Sequence, residues 1–361
     1  MLSQIFHSTR RLLANEWRHL AHVNRSDRPW EMPVAAALAT GLPLCAGVAY
    51  GEPGLGLAGS LGGLVFLHLP NTRLPHRMAW LMASAFAMTA CHALGMLGHG
   101  VPSLTVPLLV LITLLVSMVC RFYVAPPPGS LFFVMAAAIG AFSPFHGRDA
   151  LAQIGAIALG TVLAVAIAFL YSLRVVMRHG VPAPSRPSPP GFEVVVVESV
   201  IIAAFVGLSL LAAQALQLER PYWVPVSCLA VIQGASLRAA WNRQLQRILG
   251  TLFGLLLFFA IVHLPLGPWG LAAAVTALAL VIEILVVRHY GLATVFITPL
   301  ALLLAEAGQA MAISPLPLMQ ARLADTVLGA IVGLVGAACL HSARCRAVIG
   351  AALRRLRPRA P

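Results

Sequence analysis

The sequence contains no lysine, and acids are scarce: 11 Asp and Glu stand against 24 basic residues in 361, and only 10% of the chain is charged. A globular domain carries about a quarter of its residues charged, so a water-exposed surface of ordinary size is excluded. Without lysine there is no Walker-type phosphate loop, and His-Glu-x-x-His is missing too, which removes P-loop and zincin chemistry. No cofactor and no catalytic or metal residue is expected. The six cysteines, Cys45, Cys91, Cys120, Cys228, Cys339 and Cys345, show no C-x-x-C spacing and fall in or beside apolar segments, as free buried thiols would. The twelve histidines are dispersed, and His92 and His263 read as packed or interfacial rather than as ligands. Residues 1–29 hold no apolar core of signal-peptide length, so the N-terminus is expected to be retained.

What is present is apolar: 60% hydrophobic residues and a mean hydropathy of +0.89. The class is an all-α polytopic transmembrane bundle. A span needs about 20 apolar residues, and twelve segments qualify: 32–50, 53–69, 78–98, 103–120, 128–144, 150–173, 194–217, 221–236, 246–265, 268–287, 290–306 and 317–340. The second is rich in glycine (Gly54, Gly56, Gly59, Gly62, Gly63), which lets helices approach closely. The net charge of +13 is spread between apolar segments rather than gathered on one soluble face, so nucleic acid is not an expected partner and the lipid bilayer is.

Arginine placement orients the chain. With both termini cytoplasmic, 21 of the 24 arginines fall inside, Arg148 and Arg220 fall outside, and Arg322 lies within a span. The expected organisation is a cytoplasmic amphipathic tail (1–31), a first six-helix half (32–173), a Pro-rich cytoplasmic linker (174–193), a second six-helix half (194–341) and a basic tail (342–361). In the second half, Arg247-x-x-x-Thr251-x-x-Gly254 and Arg322-x-x-x-Thr326-x-x-Gly329 form a weak repeat on helices of opposite direction, as in inverted-topology transporters.

Residues 222–254 bring together Tyr222-Trp223, Gln233, the arginines Arg238, Arg243 and Arg247, and Gly250-Thr251-x-x-Gly254; His289-Tyr290, Thr298-Pro299-Leu300 and Arg322-x-x-Asp325-Thr326-x-x-Gly329 follow. These pieces resemble the second membrane block of the fusaric-acid-resistance and aromatic-acid-exporter family, over about residues 195–340. One departure is Gly234, where the family pattern has Pro. The resemblance implies a bacterial inner-membrane exporter of small organic, chiefly aromatic, acids. The chain is expected to be a compact form without the family's large soluble domains, so oligomerisation or docking assigned to those domains is not carried over; a periplasmic adaptor and a second copy of the chain are candidate partners.

Charge inside a span costs about 2.5–3.5 kcal/mol at the helix centre and is kept when paired or facing a cavity. That singles out Glu198, Glu283, Arg322 and Asp325. Arg322 and Asp325, at i and i+3, can serve as a structural ion pair or as a transport pair. Glu198 and Glu283 either reach out to the interface or line the path. Pro299, after Thr298, frees a carbonyl that could line a cavity. Tyr222-Trp223 fits an aromatic belt or a ring platform. Arg322 or Arg247 would attract a carboxylate, and Glu198, Glu283 or Asp325 would exchange the coupling proton. The alternatives are a passive anion channel, since related plant anion channels share the helix layout, and a non-transporting membrane scaffold.

Overall fold

A computed structural model describes residues 24, 28–144, 147–179, 190–310 and 315–355. The expected N-terminal tail and most of the Pro-rich linker lie outside these residues. The described residues form helices and no strand: α1 (Glu31–Ala49), α2 (Pro53–Gly63, continued by a 3-10 turn Leu64–His68), α3 (Leu74–His99), α4 (Pro102–Phe122), α5 (Leu131–Ala141), α6 (Gly147–His179), α7 (Phe192–Ala215), α8 (Trp223–Ile232), α9 (Leu237–Val262), α10 (Pro268–Leu285), α11 (Tyr290–Ala310), α12 (Pro315–His341) and α13 (Ala343–Arg355). Each expected span finds its helix, but α6 runs past 173 to His179 because no breaker precedes Gly180 and Pro182.

Among the described residues eight of these helices are long and apolar enough to cross a membrane, whereas Pro53–His68, Leu131–Ala141 and Trp223–Ile232 are shorter. The expected count of twelve spans is therefore not confirmed. At 1.5 Å per residue, the 11 residues of α5 and the 10 of α8 cover about half of a ~30 Å hydrocarbon core. Helix ends at that depth expose backbone groups that lipid cannot satisfy, so they are tolerated only inside protein. All ten residues of α8 are buried accordingly.

The long helices are turned inside out relative to a soluble bundle. On α4, Thr105, Thr113 and Ser117 are buried while Leu104, Leu111, Leu115 and Val119 are exposed; on α7, Ser199 and Ser209 are buried and Leu208 and Leu211 exposed. A lipid solvent explains both halves of the pattern, because hydrocarbon attracts the large apolar side chains as well as the interior does and leaves small residues to make the contacts.

Helix pairing follows one rule used twice. Among the first six helices, α2 packs on α6 and α3 on α5; among the last six, α8 packs on α12 and α9 on α11. Residue order shows all four pairs to be parallel. A Cβ on Gly329 would meet Val224 and Ser227, one on Gly333 would meet Cys228 and Val231, and one on Gly336 would meet Ile232. Gly250 lies against Gly291 and Thr294, and Gly254 against Val295 and Thr298. Gly59 abuts Ala156, and Gly62 abuts Ile157 and Thr161; His92 and His99 bond the carbonyls of Ala136 and Ala141. The two sets meet where α1 packs on α10 and α4 runs antiparallel to α7.

The repeat Arg-x-x-x-Thr-x-x-Gly falls on α9 and α12, which touch each other, and its closing glycines seat α11 and α8. In the first three runs of three helices the second, α2, α5 or α8, is the short one, whereas α11, at 21 residues, is longer than α10, at 18.

Candidate functional site

A cavity of about 740 Å³ lies where α4, α8 and α10 end and α5, α9 and α11 begin. Its wall is mostly apolar: Leu61 and Leu64 from α2 and its extension, Met135 and Ile139 from α5, Val226 and Ala230 from α8, and Ile297, Leu300 and Leu304 from α11. Set into that wall are Arg28, Arg121, Arg243, Arg247 and Arg322, with Glu283 as the acid.

The α8–α9 hairpin places two of these arginines. Helix α8 stops at Ile232, the chain turns through Gln233–Ser236, and the Ser236 hydroxyl caps α9 by accepting the Ala239 N–H at 3.1 Å. Gly234 fits because a Cβ there would stand 2.7 Å from the Ala240 nitrogen. That close approach accounts for the residue that departs from the family pattern. From the first turns of α9, Arg243 donates to the Ala230 carbonyl (3.4 Å) and lies 5.5 Å from the Tyr290 ring centre. One turn on, Arg247 donates to the Tyr290 hydroxyl (3.2 Å) and the Ser227 hydroxyl (3.1 Å).

Arg322 is reached from α12. Its guanidinium carbon sits 3.6 Å over the Trp223 ring, a cation–π contact in a desolvated setting. Asp325, one turn away, is fully buried and does not line the cavity. Trp223 is 1% exposed and Tyr222 stacks between it and Phe142, with ring centres 5.2 and 5.9 Å apart. The belt reading of Tyr222-Trp223 is thereby overturned: aromatics anchoring a bilayer interface must face lipid, and these two face protein.

The floor joins the two sets of helices through a polar chain. Gln233 Nε2 donates to Ser130 Oγ at 2.7 Å, Ser117 Oγ lies 3.3 Å from the same oxygen, and His68 Nε2 is 3.2 Å from the Gly129 carbonyl. Ser130 and the prolines Pro126–Pro128 give no periodic signal, and sequence reasoning missed them along with Arg121, Arg243 and Tyr290 as cavity residues. A turn between two apolar segments was the available clue.

Both glutamates are ion-paired within the protein. Glu283, 5% exposed, faces Arg28 at 3.6 Å, and Glu198 is ion-paired with Arg121 of α4, so that only its partner lines the cavity. Thr298 and Pro299 lie behind the wall. Pro299 frees the Val295 carbonyl, but that oxygen is covered by Gly254 of α9 instead of opening onto the cavity.

Residues 208–336 match the family described as fusaric acid resistance protein-like. The matched stretch, a little over a third of the chain, is similar to that family's membrane block. It contains every candidate residue except Glu198. Over 124 residues the chain is 36% identical to an uncharacterized membrane protein, YvaC, of Bacillus subtilis (strain 168), a stretch that covers 34% of this chain and 20% of that relative. The chain thus matches about a fifth of the relative's length. No solved structure matches it. The first six helices lie outside the fusaric acid resistance-like block and nevertheless pack by its pairing rule.

Proposed function

We propose that the protein is an inner-membrane transporter that exports small organic acids, aromatic carboxylic acids foremost, coupled to the proton gradient. The observation that carries this reading is the cavity itself. Its volume suits a small-molecule ligand, its wall is apolar, and its charge is overwhelmingly arginine. Buried helix ends surround it, as they surround the binding sites of transporters built from repeats. Arg322 or Arg247 attracts the carboxylate, the side chains of α8 and α11 bury the ring, and Glu283 or Asp325 exchanges the proton. The cavity lies at the helix ends where arginine is concentrated, which the positive-inside rule assigns to the cytoplasm, the side from which an exporter loads.

Everted vesicles carrying the protein and an acid-inside gradient should accumulate 4-hydroxybenzoate and lose part of the gradient as they do so. Accumulation untouched by a protonophore would refute the coupling. Unitary currents in a planar bilayer would replace the carrier by an anion pore, because carriers turn over too slowly to give them.

A further inference from the structure

We infer that the anion-binding subsite of the cavity is Arg247, with Arg243 beside it, and that Arg322 holds the aromatic wall in place; its ligand is a carboxylate on an apolar body. The inference rests on the transport reading above and assigns its charged groups.

The charges around the cavity decide the assignment. Arg28 faces Glu283, and Arg121 is bound to Glu198. Arg322 has its guanidinium flat against Trp223, with buried Asp325 one turn along the same helix. Arg247 differs from these three. It is 5% exposed, and its hydrogen bonds go to two neutral hydroxyls, those of Tyr290 and Ser227. Arg243 bonds a neutral carbonyl. Among the described residues no carboxylate contacts either of them. A buried guanidinium held by neutral acceptors alone is an unbalanced charge, and Arg247, with the partly buried Arg243 one helical turn away in the same cavity wall, creates a site that an anion completes.

The same groups set the ligand's chemistry. A guanidinium presents a planar fork matched to a carboxylate. The side chains around the rest of the cavity, Val226, Ile297, Leu300 and Leu304 among them, offer an attached ring or short chain no polar partner. An inorganic anion would leave that surface unused.

The test uses the full chain in lipid nanodiscs, with thermal unfolding followed against millimolar benzoate, its neutral isostere benzamide, and chloride. Benzoate should raise the melting temperature of the wild type, and the other two should not. Arg247→Gln should abolish the benzoate shift, Arg247→Lys should keep part of it, and Arg243→Gln should weaken apparent affinity several-fold. Arg322→Gln should keep benzoate affinity within about threefold of wild type, and Arg344→Gln on the distant α13 should behave as wild type. Arg247→Gln should melt no lower than wild type without ligand, since the change removes an unbalanced charge, and this separates a lost site from a lost fold. The subsite is overturned by a wild type that benzoate does not stabilise, by equal stabilisation from chloride or benzamide, or by a benzoate shift that survives Arg247→Gln and disappears with Arg322→Gln. Loss of the subsite with export intact in everted vesicles would leave the transport reading standing. Arg247-dependent binding without proton-linked export would support the subsite and remove the transporter.

Discussion

Arg322 and Asp325 lie one turn apart on α12, both essentially inaccessible to solvent. Removing one charge from such a site strands the other and costs about 3–5 kcal/mol for a fully buried pair. Arg322→Ala and Asp325→Ala should each lower folded yield by that mechanism, and the double variant should recover much of it, as gel filtration of the solubilised protein would show. Recovered yield should not bring back coupled export, because Asp325 is a proton-carrier candidate; export restored in the double variant would make both residues architecture. A second residue-scale prediction concerns Arg121 and Glu198, which join α4 to α7. Either Arg121→Glu or Glu198→Arg alone should reduce export, and the charge-swapped double variant should regain it. A swap that stays inactive would mean Arg121 serves the cavity directly. Sequence reasoning found Glu198 and Arg322 because ionisable groups inside apolar segments are conspicuous. It could not find their partners, which lie 77 and 99 residues away in Arg121 and Trp223.

At the scale of the element, the parallel seating of α12 on α8 sets the geometry of the aromatic wall. The Cβ of any larger residue at Gly329 would stand 2.3 Å from the Val224 carbonyl oxygen, and Val224 follows Trp223. Gly329→Leu should cost about 1–3 kcal/mol by overpacking, lower the melting temperature and reduce export. Gly54→Leu, at a position with nothing within 4 Å of a built Cβ, should leave both unchanged. Equal effects from the two substitutions would show that helix lipophilicity, and not the α8–α12 contact, is what matters. The glycines of the second apolar segment were legible as packing residues, and Gly59 and Gly62 do abut α6. The half-length of α5 and α8 was not, because an apolar run shows that a segment is buried but not where its helix starts and stops within the burial.

For the whole molecule, the pairing rule shared by the first and last six helices requires neighbouring helices to alternate in direction, and the arginine bias then predicts which end is cytoplasmic. In a cysteine-free background, Glu52→Cys, in the exposed turn between α1 and α2, should react with an impermeant maleimide in intact cells, and Thr72→Cys, between α2 and α3, should react only after the cells are opened. The reverse result would invert the molecule and turn the cavity toward the periplasmic side. Alternation itself was legible from segment count and arginine position. The seating of α1 on α10 and of α4 on α7, which encloses the cavity between the two sets, has no sequence signature.

The sequence by itself determined the solvent of this protein, its helical class, the order and approximate limits of its segments, and the block bearing Tyr222-Trp223, Gln233, Arg247 and Arg322. The solvent, the class and the segments follow from composition, hydropathy and local spacing, which act over a few turns of chain, and the block was marked by its resemblance to a known family. Only the tertiary structure decided which charges are balanced. Arg28 meets Glu283 and Arg121 meets Glu198 across helices distant in sequence, while among the described residues Arg247 is held by two hydroxyls. The balance of a buried charge depends on what stands within a few ångströms of it, and helix register, crossing and length settle that together, after the local pattern has been spent.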